Sequence, residues 1–383
     1  MKTTFIRFIF IVFLSISGLE GSVYCADVSE AQRAYQAGMQ ALSSAQAFAE
    51  FQRAIALEPS FAAAHYQLGL CYGQQSQWRK AVQAFQTAIR FDADFADAHC
   101  RLGEAYLSGL GQAKAAISPL ERALQVQPDL PRARRLLGTA YLRQNRIEDA
   151  IQQLKQASDT EARYLLGLAY FQKGDFAQAM PHFEAVIQRE KRHAKAHFNL
   201  GNCYLRTGEI AKGRKALRTF EILTQEEEQL ASLRRAIQDS PQGLERRYQL
   251  AELLIKREAW DAAIAELKAC VAIAPRDEKG YELLGYSYLQ TETYTEAREV
   301  FGHLVETRPE SAVYRNSLGV VYMMLEKPRP AIVQFETAAR LAPNNPQVYR
   351  NLANAYRQIG EQEKAAKAYQ RYRSRNETHR EQK

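Results

Sequence analysis

A Leu-Gly-x-x-Tyr string returns seven times along this chain, beginning at Leu68, Leu102, Leu137, Leu166, Leu200, Leu284 and Leu318. Two weaker copies, Leu250-Ala251 with Leu254 and Leu352-Ala353 with Tyr356, keep the register. Counted from Gly69, successive anchors lie 34, 35, 29, 34, 50, 34, 34 and 34 residues apart. A fixed period of this size marks an architecture in which each repeat is one supersecondary unit. Twelve residues after most anchors stands a small residue, and four further a large one, as in Ala81/Phe85, Ala179/Phe183 and Ala331/Phe335. Many units then close on proline: Pro59, Pro128, Pro275, Pro309 and Pro343.

Each unit carries two apolar stripes at helical spacing, which predicts an antiparallel helix pair. Glycine and the small alanine let the two helices approach, while Tyr and Phe fill the space around them. Proline ends the second helix because it cannot continue the hydrogen-bond ladder. No such pair buries both its faces alone, so neighbours must stack. The expected fold is therefore all-α, a right-handed α-solenoid of about ten helix-turn-helix repeats.

The string and its period resemble the tetratricopeptide repeat family over essentially the whole chain after the N-terminus. In that family the first helix of each pair lines a concave groove that holds a peptide or helix of a partner protein. Carried over residue by residue, the resemblance puts aromatic anchors at Tyr66, Tyr164, Phe198, Tyr248 and Tyr286. A basic cluster falls at Arg101, Arg132, Arg135 and Arg143, with Arg134 and Arg146 nearby. Asn202, Arg206, Asn316 and Asn354 take further groove slots. Rigid Tyr with a few Arg is the composition of binding anchors. Solvated arginines and aromatics at the edge of the core are the alternative reading. Some family members clamp a partner's C-terminal carboxylate between Lys and Asn. Lys195, Asn199 and Asn202 fall close together here, but Arg135 and Thr139 replace the expected Lys/Asn pair two units earlier.

Two irregularities bear on domain organisation. The fourth unit is short around Ser158–Thr160, and the sixth runs long through Glu226, Leu230 and Ile237 to Pro241. The expected division is an N-terminal array over 27–220 of about six repeats, an inserted amphipathic helix or linker over 221–243, and a C-terminal array over 244–383 of about four repeats. The first unit, about 28–61, lacks the Leu-Gly anchor, and the last ends in a basic, solvated tail from Arg371 to Lys383. Residues 1–26 read as an export signal: Lys2 and Arg7, then an apolar run from Phe8 to Ile16, then a cleavage site after Cys25 or Ala26. That run is far shorter than the roughly 20 apolar residues of a membrane span. Tyr24 before Cys25 fits a lipid-modified cysteine poorly. Retention of this segment as an uncleaved anchor is the alternative, and otherwise the mature chain is expected to be periplasmic or secreted.

The tempting chemistry sits inside the repeat frame. His65, His99 and His197 occupy one slot, three residues before the anchor leucine, where other units carry Arg134, Arg163 or Arg315. His193 and His197 share the spacing of a two-His metal face, but no third ligand accompanies them. Cys71 and Cys203 share another slot, and Cys270 replaces an alanine, which is the pattern of buried structural cysteine. Cys71 and Cys100 lie on adjacent first helices, where a disulfide is possible in an oxidising compartment. No phosphate loop or catalytic triad order is present. Lys and Arg exceed Asp and Glu by 51 to 43, with both signs interspersed. These features point to a non-enzymatic scaffold of the bacterial cell envelope, without metal or cofactor. Its partners would be protein segments, acidic or aromatic in character. Self-assembly through the end units and, less favoured, RNA binding in a basic groove are the rival functions.

Overall fold

The computed structural model describes residues 29–381, which form twenty helices and no strand. The expected signal segment, 1–26, lies outside the described residues. In the first compact unit, which ends at Arg218, α1 (Glu30–Gln40) pairs with α2 (Ser44–Leu57), and α3 (Ala62–Gln74) with α4 (Trp78–Phe91). Then come α5 (Ala96–Glu104) with α6 (Ala113–Val126), α7 (Pro131–Arg143) with α8 (Ile147–Leu154), and α9 (Thr160–Lys173) with α10 (Phe176–Arg189). Next follow α11 (Ala194–Arg206) and the long α12 (Ile210–Asp239), inside which the second compact unit begins at Thr219. That unit continues with α13 (Leu244–Lys256), α14 (Trp260–Ile273), α15 (Glu278–Gln290) and α16 (Tyr294–Thr307). It ends with α17 (Ala312–Met324), α18 (Pro328–Leu341), α19 (Pro346–Gln358) and α20 (Gln362–Glu381). The fold is an all-α helical-repeat solenoid.

The anchor glycine sets the distance between paired helices. A Cβ placed on Gly69 would stand 2.5 Å from the Phe85 ring, and one on Gly167 would stand 2.9 Å from Phe183. Gly38 does the same work against Phe51, at 2.6 Å, so the first unit does keep an anchor glycine, without the leucine before it. Seven residues after the anchor the chain enters the left-handed region to turn into the second helix. Ser76, Asn145, Glu258, Glu292 and Glu326 take φ of 56–58°, and Gly174, Gly208 and Gly360 take 79–87° at the same place. After Gly103 this residue arrives one late, and the reason is visible: α5 continues as a π turn over Ala105–Gly109, and the left-handed residue, eight after the anchor, is Gly111. The 35-residue interval is thus one inserted residue absorbed as a π turn.

The recurring His/Arg slot has a structural role. Its side-chain nitrogen donates to the carbonyl six residues upstream, in the loop between units. His65 reaches Pro59 at 2.9 Å, His99 reaches Ala93 at 3.0 Å, and His197 reaches Lys191 at 3.0 Å. Arg134, Arg247 and Arg315 do the same to Pro128, Pro241 and Pro309. His and Arg interchange because each offers a donor of the right reach.

At three anchors the tyrosine donates across to the preceding second helix, twenty residues back, whereas Tyr106 accepts from Gln86 at the same spacing. Tyr141 donates to Glu121 at 2.6 Å and Tyr204 to Glu184 at 2.5 Å, and Tyr356 donates likewise to Glu336. Burial first, and then the carboxylate acceptor, pushes the hydroxyls of Tyr141, Tyr204 and Tyr356 up to about 12.

Of the two irregular units, the fourth is short as expected, and the sixth takes a different form from the one expected. The short fourth unit trims its second helix, α8, to 8 residues, and Asp159 then caps α9 by accepting from Ala162 N. The insertion in the sixth is not a separate helix: it prolongs the second helix without a break, so that α12 runs 30 residues. In its second half Leu223, Glu226, Leu230, Leu233 and Ile237 are buried, a seam spaced alternately three and four residues apart. Leu230, Leu233 and Ile237 pack against Leu250, Leu253 and Leu254 of α13. Glu226 pairs with Lys256 at 2.9 Å and Glu227 with Arg257. At the other end, the basic tail continues as α20, where the exposed Arg371 lies 6.0 Å from the centroid of the Tyr349 ring.

Candidate partner-binding surface

In the first compact unit the first helices α3, α5 and α7 carry Tyr66, Arg101 and the trio Arg132, Arg135 and Arg143. Between α3 and α5 lies a cavity of about 330 Å³. Gly69 and Gly73 leave its floor low, Trp78 and Phe85 from α4 form its apolar end, and Arg101 and Glu104 of α5 form its polar wall. The inserted residue shapes this site. The π turn brings Gly109 under the Trp78 ring, where a Cβ would stand 2.6 Å from Cγ, so only glycine lets the indole close the cavity there.

The arginines around this cavity are held by specific partners. Glu104 accepts from Arg101 at 3.1 Å and from Arg132 at 2.6 Å. Arg101 also engages the Tyr66 hydroxyl. Arg135 faces Asp159 at 3.6 Å, and Arg143 donates to the Leu107 carbonyl of the π turn at 2.8 Å. Two guanidiniums share one carboxylate at Glu104, so the wall keeps an excess of positive charge. Tyr66 itself is half-buried against Phe85 and Phe95.

Other groove candidates fall differently. Tyr164 is 9% exposed and Tyr248 3%, so neither is an open anchor, contrary to the sequence expectation. Tyr164 lies against Phe183 and His193, and its hydroxyl accepts from Asn199 at 3.0 Å. Tyr248 donates to Asp277 at 2.8 Å. Both join one repeat to the next, and Asn199 is spent on that joint. Phe198 and Tyr286 are exposed, 42% and 46%, and Tyr286 meets Trp260 edge-on. Asn202 donates to the Phe198 carbonyl of its own helix, and Arg206 is exposed. Asn316 accepts from Asn351, while Asn354 is exposed. Two exposed apolar residues on α17, Val313 and Met324, were missed by sequence reasoning. They occupy the slots six before and five after the anchor glycine, where a period argument had nothing polar or aromatic to single out.

The cysteines and histidines are packing groups. Cys71, Cys100, Cys203 and Cys270 are all buried and unbridged, so the possible Cys71–Cys100 disulfide is not formed. Burial pushes the thiol of Cys100 up to about 12 and those of Cys203 and Cys270 up to about 11, away from thiolate reactivity. His193 accepts from Ala196 N as a helix cap, and His197 holds its loop carbonyl, which uses a ring nitrogen of each. No described helix is long and apolar enough to cross a membrane.

Comparison with known proteins agrees with the repeat architecture. Models of the tetratricopeptide repeat match residues 107–168 and 170–237, 50–83 and 322–378, and a TPR repeat model matches 72–108. The mouse Superkiller complex protein 3 is 24% identical over 281 residues, a match covering 65% of this chain and 18% of that protein. The chain thus spans less than a fifth of this curated relative. Among solved structures, MamA is 20% identical, covering 44% of this chain and 94% of its own, with a TM-score of 0.41. YrrB, described as a TPR protein with an unusual peptide-binding site, is 23% identical, covering 45% and 91%, with a TM-score of 0.42. PilF of Pseudomonas aeruginosa is 21% identical, covering 58% and 95%, with a TM-score of 0.38.

Proposed function

The chain belongs to the tetratricopeptide repeat family, and from that premise we propose that it is a non-enzymatic scaffold whose first-helix face holds peptide segments of partner proteins. The cavity between α3 and α5 carries this reading. It joins an apolar end, Trp78 and Phe85, to a wall in which Arg101 and Arg132 share Glu104. Such a site accepts a bulky apolar side chain and favours an acidic neighbour beside it. The arginines are already oriented by Tyr66 and Glu104, so little side-chain entropy is lost when a partner carboxylate arrives.

The reading extends to location. Lys2, Arg7 and the apolar run Phe8–Ile16 support export across a bacterial inner membrane, and so a scaffold of the cell envelope. N-terminal sequencing of the protein recovered from an envelope fraction tests this. A chain still beginning at Met1 in the cytoplasm would overturn the location and leave the scaffold reading standing.

The binding reading is tested with a photo-crosslinker in place of Gln74, which lines the cavity, and with one at Gln83 on the second helix as control. Specific partners crosslinked from Gln74 alone, and lost when Gly73→Phe fills the cavity, are expected. Capture that survives the filled cavity would remove this site.

A further inference from the structure

At the end of the second compact unit α18, α19 and α20 enclose a cleft of about 420 Å³. Its floor is apolar, built from Leu352, Ala339 and Ala368. Four cations ring it: Arg340, Lys364, Lys367 and Arg371. Two of them are laid on aromatic faces, Lys364 5.6 Å from the Tyr356 centroid and Arg371 6.0 Å from that of Tyr349. The one carboxylate in the lining, Glu336, accepts from the Tyr356 hydroxyl. We propose that this cleft docks an acidic segment of a partner protein, in which one apolar side chain sits between carboxylates.

A second cleft on the same framework shows what is particular here. Between α4, α5 and α6 a cavity of about 540 Å³ is lined by Leu102, Tyr106, Ala115, Ser118, Pro119 and Arg122. Allowing for the inserted residue of the π turn, these positions correspond to Leu352, Tyr356, Lys364, Lys367, Ala368 and Arg371. The framework is common to both, and the last repeat replaces an alanine and a serine with lysines. The sixth repeat also has Lys212 and Lys215 at those two positions, but Thr219 where the last repeat has Arg371.

Local ion pairs leave this charge available. Lys364 meets Glu361 at 3.5 Å and Lys367 meets Glu363 at 2.6 Å, and all four side chains are 46–82% exposed. Exposed pairs one helical turn apart are worth only about 0.3–0.5 kcal/mol, so a partner carboxylate competes with them readily. Across 346–381 the chain has eight Lys or Arg against four Glu, in a protein whose whole excess is 51 to 43. The floor between the cations is apolar, with the half-buried Ala339 beside the buried Leu352 and Ala368, so an apolar side chain meets a complementary surface there and a bare polyanion does not. A flexible acidic peptide fits both features; a nucleic acid or an anionic bilayer meets only the charge.

The test is fluorescence anisotropy of the full chain with a labelled peptide of four glutamates around one leucine. The same peptide with serine for leucine, a single-stranded DNA oligomer and anionic lipid vesicles are the other probes. The paired variant Lys364→Ala/Lys367→Ser installs residues that the α5–α6 repeat already tolerates at these positions, so folding is preserved. Leucine-peptide binding that weakens roughly tenfold in this variant, and weakens also with the serine peptide, is expected. It should be unchanged in Gly73→Phe, which alters only the α3–α5 cavity. Undiminished binding in the paired variant overturns the site. Equal or tighter binding of DNA or vesicles than of peptide overturns the peptide partner.

Discussion

At Gly69 the backbone of α3 comes so near the Phe85 ring that no other residue fits without displacing it. The ring is 3% exposed and cannot swing outward without losing its burial. Gly69→Ala should therefore destabilise the chain by about 1–3 kcal/mol, read as a lower urea midpoint. A midpoint equal to wild type would show that the helices can separate at no cost, against the close packing of such interiors. The turn residues give the opposite sign. Glu292 sits at φ 58°, where a side chain is strained and glycine is not. Glu292→Gly should stabilise by about 0.5–1 kcal/mol, because the relief of the left-handed strain exceeds the entropy glycine adds to the unfolded chain. A loss of stability on that change would mean the Glu292 side chain makes a contact worth more than the strain.

Elements show how far the sequence could be read. The period, the anchors and the two-helix repeat are legible because 3.6-residue stripes and a close-approach glycine leave direct traces in residue type. The 50-residue interval announced an insertion, but its form depended on what ends a helix. Between Gly213 and Pro241 there is no glycine or proline, so nothing stops the second helix, and it continues to Asp239. The π turn was present only as an interval of 35, since one extra residue has no composition of its own. Tyr164 and Tyr248 were misplaced for a different reason. Whether a slot is open depends on the following repeat, and Asn199 and Asp277, which cover these hydroxyls, lie 35 and 29 residues away. The cavity beside Trp78 was likewise out of reach, because it needs Gly109 under the indole. Along α12 the buried seam includes one carboxylate, Glu226, whose partner Lys256 is 66% exposed. Of the interactions lost with this carboxylate, the ion pair leaves behind only a lysine that water already solvates. Glu226→Leu should therefore hold or raise stability, by up to about 1 kcal/mol in urea unfolding. A clear loss would show that Glu226 is needed to fix the seam.

Over the whole molecule the tyrosine–glutamate bonds form a set that recurs in both compact units, Tyr141 and Tyr204 in the first and Tyr356 in the second. Each joins a first helix to the second helix of the repeat before it, so three of the joints between stacked repeats carry one such bond. Their hydroxyls are pushed up to about 12, by burial and then by the glutamate acceptors. A group whose folded pKa lies above its unfolded value near 10 stabilises fully below pH 10, and that contribution is lost as the pH rises through 12. The chain should therefore lose stability between about pH 10 and 12, beyond what its lysines cause. The triple variant Tyr141→Phe/Tyr204→Phe/Tyr356→Phe separates the two contributions. It keeps the rings and the lysines but has no phenol to ionise at these joints. In far-UV circular dichroism of urea unfolding across that range, the variant should start lower than wild type at pH 9 and fall less steeply. Parallel curves would mean that the joints rest on apolar packing alone, with the glutamates serving only to satisfy hydroxyls that burial had already cut off from water.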